Sequence, residues 1–208
     1  MIRIHLIGER GKMGQAVQKA LHPDFTLSQA DRADAFLDFS SPTGSLSALE
    51  LALKFKKPLV SGTTGLSSLH WQKLQEASQK IPILHSPNFS RGIALLLLLA
   101  EKARIFPGAE IRIYETHHEK KKDAPSGTAL KCQEILGGDI PISSKRIGEV
   151  FGEHEIRLSF LGEELSLKHE SHSRDAFAQG ALLAVKFLLN KPPRLYNFLE
   201  IFCSDFLR

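Results

Sequence analysis

Residues 2–14 read Ile2-Arg3-Ile4-His5-Leu6-Ile7-Gly8-Glu9-Arg10-Gly11-Lys12-Met13-Gly14. The first six residues alternate and then turn apolar, which predicts a β-strand. Glycine then recurs at every third position, and residues 15–21 have helical spacing that stops before Pro23. Glycine permits a tight turn and a close approach to a pyrophosphate, while a helix N-terminus presents N–H groups to an anion. A loop of this kind between the first strand and first helix predicts a dinucleotide-binding site, and Arg10 and Lys12 add positive charge.

The glycine loop departs from the usual pattern. Its spacing is G-x-x-G-x-x-G rather than G-x-G-x-x-G, so a plain structural turn is the alternative. Glu9 also puts a carboxylate near the expected pyrophosphate, which is unfavourable unless it points away. The acidic residue that reads a ribose about 20 residues further on is not obvious. Asp31 and Asp34 are candidates and Arg32 is a candidate partner for a 2′-phosphate, with a solvated loop as the alternative, so the choice between NAD and NADP stays open.

The rest of the first half alternates between short apolar runs and helical patterns. We expect strands at residues 25–27, 35–39, 58–60 and 81–85, and helices at residues 42–53 and 67–79. Pro42 opens the first of these helices, with Ser40 or Ser41 as its cap. This order predicts a Rossmann-like domain, with a parallel sheet covered by helices on both faces.

The rhythm of the sequence changes after residue 86. We expect helices at residues 92–106, 126–136 and 176–189, and strands at residues 110–117, 155–161 and 164–169. Gly162-Glu163 between the last two strands is a hairpin signal, which favours a mixed or antiparallel sheet. The predicted fold class is α/β, with a dinucleotide-binding domain at residues 1–90 and an α+β domain with a mixed sheet at residues 91–173. Helices within residues 174–208 are expected to pack back on the first domain.

Composition restricts the class of partner. The chain has 208 residues and a net charge of +4. Its one dense basic cluster, residues 117–122, suits a compact anion better than a nucleic acid backbone. Cys132 and Cys203 are too few for a disulfide framework or a zinc site and are expected to be reduced thiols. The start has no signal-peptide pattern, and the longest apolar run, residues 93–100, is far below the roughly 20 residues of a membrane span. We therefore expect a cytoplasmic protein without a membrane partner.

Two further loops follow predicted strands. Ser61-Gly62-Thr63-Thr64-Gly65 and Ser86-Pro87-Asn88-Phe89-Ser90 lie where an open parallel sheet binds its ligands, outside the carboxyl ends of the strands. Small hydroxyl residues and glycines there could contact a nicotinamide or ribose without crowding it. A turn with a helix cap is the alternative for the first loop, and burial in the core is the alternative for Phe89.

The segment richest in chemistry is Glu115-Thr116-His117-His118-Glu119-Lys120-Lys121-Lys122-Asp123-Ala124-Pro125-Ser126-Gly127-Thr128. A strand ends in two histidines, a basic loop follows, and Ser-Gly-Thr opens a helix. Histidine suits proton transfer because its unperturbed pKa lies near working pH. The alternatives are a histidine pair with one ring in the core, and a solvated loop at Lys120 and Lys122.

This segment resembles the E-x-H-H-x-x-K-x-D-A-P-S-G-T-A signature of the dihydrodipicolinate reductase family. Further segments resemble the family in the same order, so that the resemblance covers nearly the whole chain. They are the glycine loop with Met13, Asp38-Phe39-Ser40, Gly62-Thr63-Thr64-Gly65, Asn88-Phe89-Ser90, Arg146-Ile147-Gly148, His169 to Arg174, Phe177-Ala178 and Gly180-Ala181.

The resemblance implies an oxidoreductase of lysine and diaminopimelate biosynthesis that transfers hydride from NADPH or NADH to a cyclic unsaturated dicarboxylate. It implies an acid/base role for His117 and a proton-donating role for Lys121. It assigns substrate binding to His118, Gly127, Thr128 and Thr64. It assigns cofactor binding to Gly8, Glu9, Arg10, Gly11, Lys12, Met13, Gly62, Thr63, Thr64, Ser86, Pro87, Asn88 and Phe89. The resemblance also implies a homotetramer formed through the second domain's sheet.

The connection between the second and third strands is shorter than is usual in the family, which leaves cofactor affinity and preference open. No metal is expected, because His169 and His172 lack a further ligand, and His154 is interpreted as structural. One rival hypothesis is another NAD(P)-dependent amino-acid dehydrogenase, which activity with a tetrahydrodipicolinate precursor would separate. The other is a non-catalytic dinucleotide-sensing module, which would keep binding cofactor when Lys121 is replaced by alanine.

Overall fold

The computed structural model describes residues 1–202, and the chain folds as two compact units. The first unit contains residues 1–89 together with residues 177–202, and the second contains residues 90–176. Within residues 1–202, no helix is both long enough and apolar enough to cross a membrane.

Strands and helices alternate through the first unit and group differently in the second. In residues 1–202 the strands are β1 (Ile2–Ile7), β2 (Phe25–Leu27), β3 (Ala35–Asp38), β4 (Leu59–Ser61), β5 (Ile83–His85), β6 (Glu110–His117), β7 (Ile142–Arg146), β8 (Gly152–Phe160), β9 (Glu163–Ser171) and β10 (Leu195–Tyr196). The α-helices over the same residues are α1 (Lys12–Ala20), α2 (Pro42–Phe55), α3 (Ser68–Ser78), α4 (Arg91–Ala103), α5 (Gly127–Leu136) and α6 (Asp175–Leu188).

The first unit is built on a parallel six-stranded sheet in the order β10-β5-β4-β3-β1-β2. All four residues of β3 are buried, as expected for a central strand covered on both faces. Phe36, Leu59 and Ile83 from three neighbouring strands share one core with Leu49 of α2 and Leu74 of α3. The predicted Rossmann-like parallel sheet is therefore confirmed.

The second unit has a mixed four-stranded sheet in the order β7-β6-β8-β9. β6 pairs parallel with β7 and antiparallel with β8, and β8 pairs antiparallel with β9. β8 alternates buried and half-buried residues along most of its length, so one of its faces is covered. Gly162 has a φ of 86° in the turn between β8 and β9, a left-handed conformation that favours glycine. The predicted mixed sheet is confirmed.

Boundaries differ from the sequence prediction at several points. The first helix begins at Lys12 rather than residue 15, so it includes the end of the glycine loop. The structure adds β7, whose sequence ISSKR lacks an apolar alternation, and the two-residue strand β10. The sequence analysis did not predict β10, which extends the first unit's sheet by pairing with β5.

One of the two cysteines, Cys132, lies among the described residues. Cys132 is fully buried in α5 with a free thiol, and burial raises its pKa to about 11. A thiol with so high a pKa is mostly unionised at neutral pH and therefore a poor nucleophile. Cys203 lies outside the described residues.

Gly180 in α6 provides a test of packing in the first unit. A Cβ at this position would lie 1.8 Å from the carbonyl oxygen of Phe89. Alanine normally stabilises a helix relative to glycine by up to about 1 kcal/mol. We expect Gly180→Ala to destabilise instead, by roughly 1–3 kcal/mol, because the backbone of Phe89 must move. Thermal unfolding measures the effect, and Gly127→Ala, whose Cβ would meet nothing within 4 Å, is the control that should not lower Tm.

Candidate active site

Four loops meet at the carboxyl edge of the first unit's sheet. They follow β1, β3, β4 and β5, and together with Lys12 and Met13 at the start of α1 they include all the residues predicted to bind a cofactor. Because β1 lies between β2 and β3, the chain reverses its direction of progress across the sheet at this point. Such a switch point is where open parallel sheets bind their ligands.

The glycine loop packs tightly against the neighbouring loop. Gly8 has a φ of 85°, and a Cβ there would lie 2.3 Å from the carbonyl oxygen of Phe39. A Cβ at Gly14 would lie 2.2 Å from the carbonyl oxygen of Gly8. Side chains at these two positions would therefore push the loop and the helix apart.

The start of α1 has the properties of an anion site. Its N-cap is Gly11, which provides no side-chain acceptor, and its first turn contains no acidic residue. The N–H groups of a first helical turn have no acceptor within the helix, so a phosphate oxygen would satisfy them. Arg10 and Lys12 are exposed on either side of Gly11. The residues present therefore fit a bound pyrophosphate.

Asp38 connects the loops after β3 and β4. Its carboxylate is fully buried and accepts hydrogen bonds from Ser61 Oγ at 2.8 Å and Thr63 Oγ1 at 2.9 Å. The backbone N–H of Ser40 donates to the same carboxylate at 3.0 Å. Asp38 thus connects the two loops through hydrogen bonds, although no individual role was predicted for it.

The remaining predicted cofactor residues differ in the exposure of their side chains. Thr63 is buried and its hydroxyl is used by Asp38, whereas Thr64 is exposed. Ser86 Oγ donates to the carbonyl of Asn88 at 2.6 Å and so shapes its own turn. Phe89 is 1% exposed and packs edge-on against Phe39, which places its side chain in the core. Pro87 is exposed.

The residues predicted as candidates for ribose recognition lie in different environments. Arg3 binds both carboxylate oxygens of Asp34, with its Nε at 3.0 Å and a terminal nitrogen at 2.7 Å. The hydrogen bonds from Arg3 lower the pKa of Asp34 to about 2. Asp31 and Arg32 are exposed in a 3₁₀ turn over Ala30–Arg32.

In the second unit, a buried carboxylate and a buried imidazole share one face of β6. Glu115 and His117 are two residues apart on the strand, so their side chains point the same way. Nδ1 of His117 contacts a carboxylate oxygen of Glu115. Arg146 of β7 donates to the two oxygens of Glu115 at 2.8 and 2.9 Å, and the backbone N–H of Ser126 donates at 3.3 Å.

Burial and hydrogen bonding act in opposite directions on this pair. Burial alone would raise the pKa of Glu115, but hydrogen bonds from Arg146, Ser144 and His117 outweigh it and lower the pKa to about 2. Burial lowers the pKa of His117, and its contact with Glu115 offsets only part of that shift. The pair is therefore a carboxylate beside a neutral imidazole at neutral pH.

The tautomer of His117 follows from its partner. Ionised Glu115 can only accept a hydrogen bond, so Nδ1 carries the hydrogen and Nε2 keeps the lone pair. A Cβ at Gly152 would lie 3.0 Å from Nε2, and glycine there leaves that nitrogen uncrowded. Nε2 is consequently the atom that can take or return a proton.

His154 supports the pair from β8. Its ring lies edge-on to His117 with the ring centres 5.0 Å apart, and its Nε2 lies 3.0 Å from Ser126 Oγ. Burial lowers the pKa of His154 to about 3, so the ring stays neutral. These contacts are consistent with the structural role predicted from the sequence.

Three of the four residues predicted to bind substrate, and the predicted proton donor Lys121, lie in the second unit with this cluster, whereas Thr64 lies in the first unit. His118 is half-buried, and its buried Nδ1 has no hydrogen-bond partner among the described residues. Lys121 Nζ donates to both oxygens of Asp123 at 2.8 Å. Gly127 is exposed as the first residue of α5, and half-buried Thr128 follows it.

The sequence prediction missed two parts of this cluster. Glu115 stood in the quoted motif without a role, although its spacing from His117 on a strand could have paired them. Arg146 was noted only within a segment that resembles the family, and its role was missed because β7, the strand on which it lies, was not predicted. Among residues 1–202, no group of three or more His, Cys, Asp and Glu is placed to hold a metal ion.

A glycine loop at the switch point of a parallel sheet, in a chain that carries a buried carboxylate–imidazole pair on a separate sheet, is typical of a nicotinamide-dependent oxidoreductase. Comparison with known proteins specifies it further. The family model for the N-terminal part of dihydrodipicolinate reductase matches residues 24–89. The model for the C-terminal part of the same family matches residues 92–202. The chain belongs to the dihydrodipicolinate reductase family, the reductases of lysine and diaminopimelate biosynthesis.

Full-length relatives support this assignment. The chain is 36% identical to the 4-hydroxy-tetrahydrodipicolinate reductase of Thermosipho africanus (strain TCF52B), over 99% of this chain and 100% of that protein. It is 37% identical to the enzyme of the same name from Xanthomonas campestris pv. campestris (strain B100), over 96% and 97% of the two chains.

Solved structures agree on the fold. A dipicolinate-bound dihydrodipicolinate reductase from Paenisporosarcina sp. TG-14 has a TM-score of 0.80 at 24% identity, covering 97% of this chain and 99% of that one. An amine dehydrogenase from Mycobacterium smegmatis has a TM-score of 0.60 at 11% identity, covering 95% of each chain.

Removal of the charge at Glu115 tests the buried network. We expect Glu115→Gln to destabilise the protein by about 3 kcal/mol, because Arg146 then lacks its anionic partner. The substitution should also lower the pKa of His117 further, because the carboxylate that favours its charged form is gone. Urea unfolding and NMR titration of the imidazole measure the two effects. The exposed Glu149→Gln serves as control, and equal effects of the two variants would contradict the account.

His154 predicts a pH dependence of stability. Its pKa is about 3 in the folded protein and about 6.5 when unfolded, so the unfolded state binds more protons between these values. The free energy of unfolding should therefore fall as pH drops below 6.5, by up to about 1.4 kcal/mol per pH unit from this group. Other buried histidines add to the slope, so the test is the difference between wild type and His154→Gln.

The variant should show a shallower slope between about pH 6.5 and pH 5 in urea unfolding. The exposed His172→Gln provides a matched control whose slope should equal that of the wild type. An unchanged slope in His154→Gln would contradict the prediction.

Proposed function

We propose that this chain reduces 4-hydroxy-tetrahydrodipicolinate to tetrahydrodipicolinate with a reduced nicotinamide nucleotide, with the nucleotide on the first unit and the dicarboxylate on the second. The observation that carries the proposal is the buried Glu115–His117 pair beside a lysine and the start of a helix. The names of the full-length relatives and the dipicolinate-bound neighbour support the substrate class.

The reaction requires the loss of water and the addition of one hydride and one proton to the ring. A bound reduced nicotinamide supplies the hydride. His117 accepts or returns a proton at Nε2, and the fixed carboxylate of Glu115 stabilises its imidazolium form. Glu115 and Arg146 are positioning residues in this scheme, because they act through the imidazole.

Lys121 supplies the proton in the proposal. Its ammonium lies close enough to His117 to lower the pKa of that imidazole. The same ammonium can hold a substrate carboxylate in place of Asp123, its present partner. A protonated amine combines the two requirements, a mobile proton and a positive charge for an anion.

The substrate's second carboxylate requires further donors. The N-terminus of α5, which begins at Gly127, provides N–H groups and the positive end of a dipole. His118 contributes a buried nitrogen that lacks a partner among the described residues, so a ligand hydrogen bond would satisfy it. We assign Gly127, Thr128 and His118 to substrate binding on these grounds, and contact of Thr64 with the substrate stays a prediction.

Oligomeric state and location complete the proposal. We propose a cytoplasmic homotetramer assembled through the second unit's sheet. The support is an apolar face around β9, where Leu165 is 49% exposed and lines a cavity of about 560 Å³ with Leu167 and Phe106. Large exposed apolar patches mark interfaces in soluble proteins. Light scattering of the purified protein measures the mass, and a monomer at assay concentration would contradict the tetramer.

Lys121→Ala tests the proposed chemistry. Loss of a positioned proton donor should lower kcat by about a hundredfold or more while the fold is kept. Oxidation of the reduced nucleotide with freshly made substrate provides the rate, and circular dichroism checks the fold. Lys122→Ala is the control, because that exposed lysine in the same loop should keep kcat within about twofold of the wild type.

Equal kcat values for Lys121→Ala and the wild type would remove Lys121 from the mechanism. Loss of turnover in Lys121→Ala with retained nucleotide binding would support the enzyme hypothesis over the dinucleotide-sensor hypothesis, because a sensor does not need this lysine for catalysis.

A further inference from the structure

A cavity of about 400 Å³ lies beside the glycine loop of the first unit. It is lined by His5, Leu6, Glu9, Leu27, Ser28 and Gln29. β2 ends at Leu27, so the cavity opens at the end of the second strand. In dinucleotide-binding sheets the ribose of the adenosine half is recognised at this position, by an acidic residue for a free 2′-hydroxyl or by arginine for a 2′-phosphate.

The usual suppliers of that charge are absent from the cavity lining. Leu27, Ser28 and Gln29 at the end of β2 contribute no ionised group. Asp34 is held by two hydrogen bonds from the side chain of Arg3, and neither Asp31 nor Asp34 lines the cavity.

Glu9 supplies a carboxylate in their place. It is exposed in the glycine loop and is the one acidic residue of the lining, which contains no lysine or arginine. His5 does not offset this charge with a free N–H at Nδ1, because Nδ1 lies 3.0 Å from the carbonyl oxygen of Ser28 and donates there. The cavity is therefore suited to hydrogen-bond donors rather than to an additional anion.

Ser28 adds an unused hydrogen-bonding group. Its Oγ is buried and has no partner among the described residues. Buried polar atoms are normally satisfied, so a hydroxyl of a bound ligand would complete this one. A ribose diol offers two such hydroxyls, one for the carboxylate and one for the serine.

We propose that Glu9 reads the adenosine ribose and makes the chain select NADH over NADPH. A free 2′-hydroxyl can donate a hydrogen bond to the carboxylate, whereas a 2′-phosphate brings a second anion into a cavity without a lining cation. The departure of the glycine loop from small residues is then a specificity feature. The inference rests on the proposed function, because it assumes that the first unit binds a nicotinamide nucleotide.

Binding of the adenosine half alone tests the proposal without turnover. Isothermal calorimetry should measure ADP-ribose and its 2′-phosphate, together with NADH and NADPH, on wild type and on Glu9→Gln. We expect the wild type to bind the forms without 2′-phosphate at least about tenfold more tightly. Glu9→Gln, which keeps the shape and removes the charge, should reduce that ratio about tenfold. The exposed acid Asp31→Asn is the control, and its ratio should match the wild type.

The outcomes separate the two proposals. Equal affinities for ADP-ribose and its 2′-phosphate in the wild type, or an unchanged ratio in Glu9→Gln, would overturn the role of Glu9 and leave the reductase proposal intact. A folded wild type that binds neither NADH nor NADPH would overturn both.

Discussion

The buried carboxylate of Glu115 connects three elements of the second unit. It accepts hydrogen bonds from Arg146 on β7 and from the backbone of Ser126 at the start of α5, and it contacts His117 on its own strand β6. An ionised carboxyl in an apolar interior is costly unless it is fully paired, so the three elements must keep their relative positions. The same constraint fixes the tautomer of His117 and leaves Nε2 available for a proton. Structure and proposed chemistry therefore depend on one charge.

The first unit uses the same physical device for a different purpose. Buried Asp38 accepts hydrogen bonds from the loops after β3 and β4, while Gly8 and Gly14 let the glycine loop pack against them. The result is a fixed edge with an uncapped helix start at Gly11. Such an edge can bind a pyrophosphate without rearranging, which is what a nucleotide site requires.

Sequence alone predicted what depends on local pattern. The alternation of β1, the glycine spacing and the apolar run of β3 are all readable within a few residues, and the parallel order follows from them. Contacts between side chains that are far apart in the sequence could not be predicted. Arg146 reaches Glu115 across 31 residues, and Arg3 removes Asp34 from the candidate ribose readers across the same separation. Strands β7 and β10 were missed because one is polar and the other has only two residues. The position of Glu9 in a cavity could not be predicted either, because the other lining residues come from β1 and from the end of β2. The sequence showed only that a glutamate is unusual at this place in the loop.

We conclude that this chain is a nicotinamide-dependent reductase of a cyclic dicarboxylate. The most direct measurement follows NADH and NADPH absorbance with purified protein while a coupled synthase makes the dicarboxylate afresh. We expect oxidation of the nucleotide to start only when the synthase product is present. Folded protein that oxidises neither nucleotide in the presence of that product would contradict it.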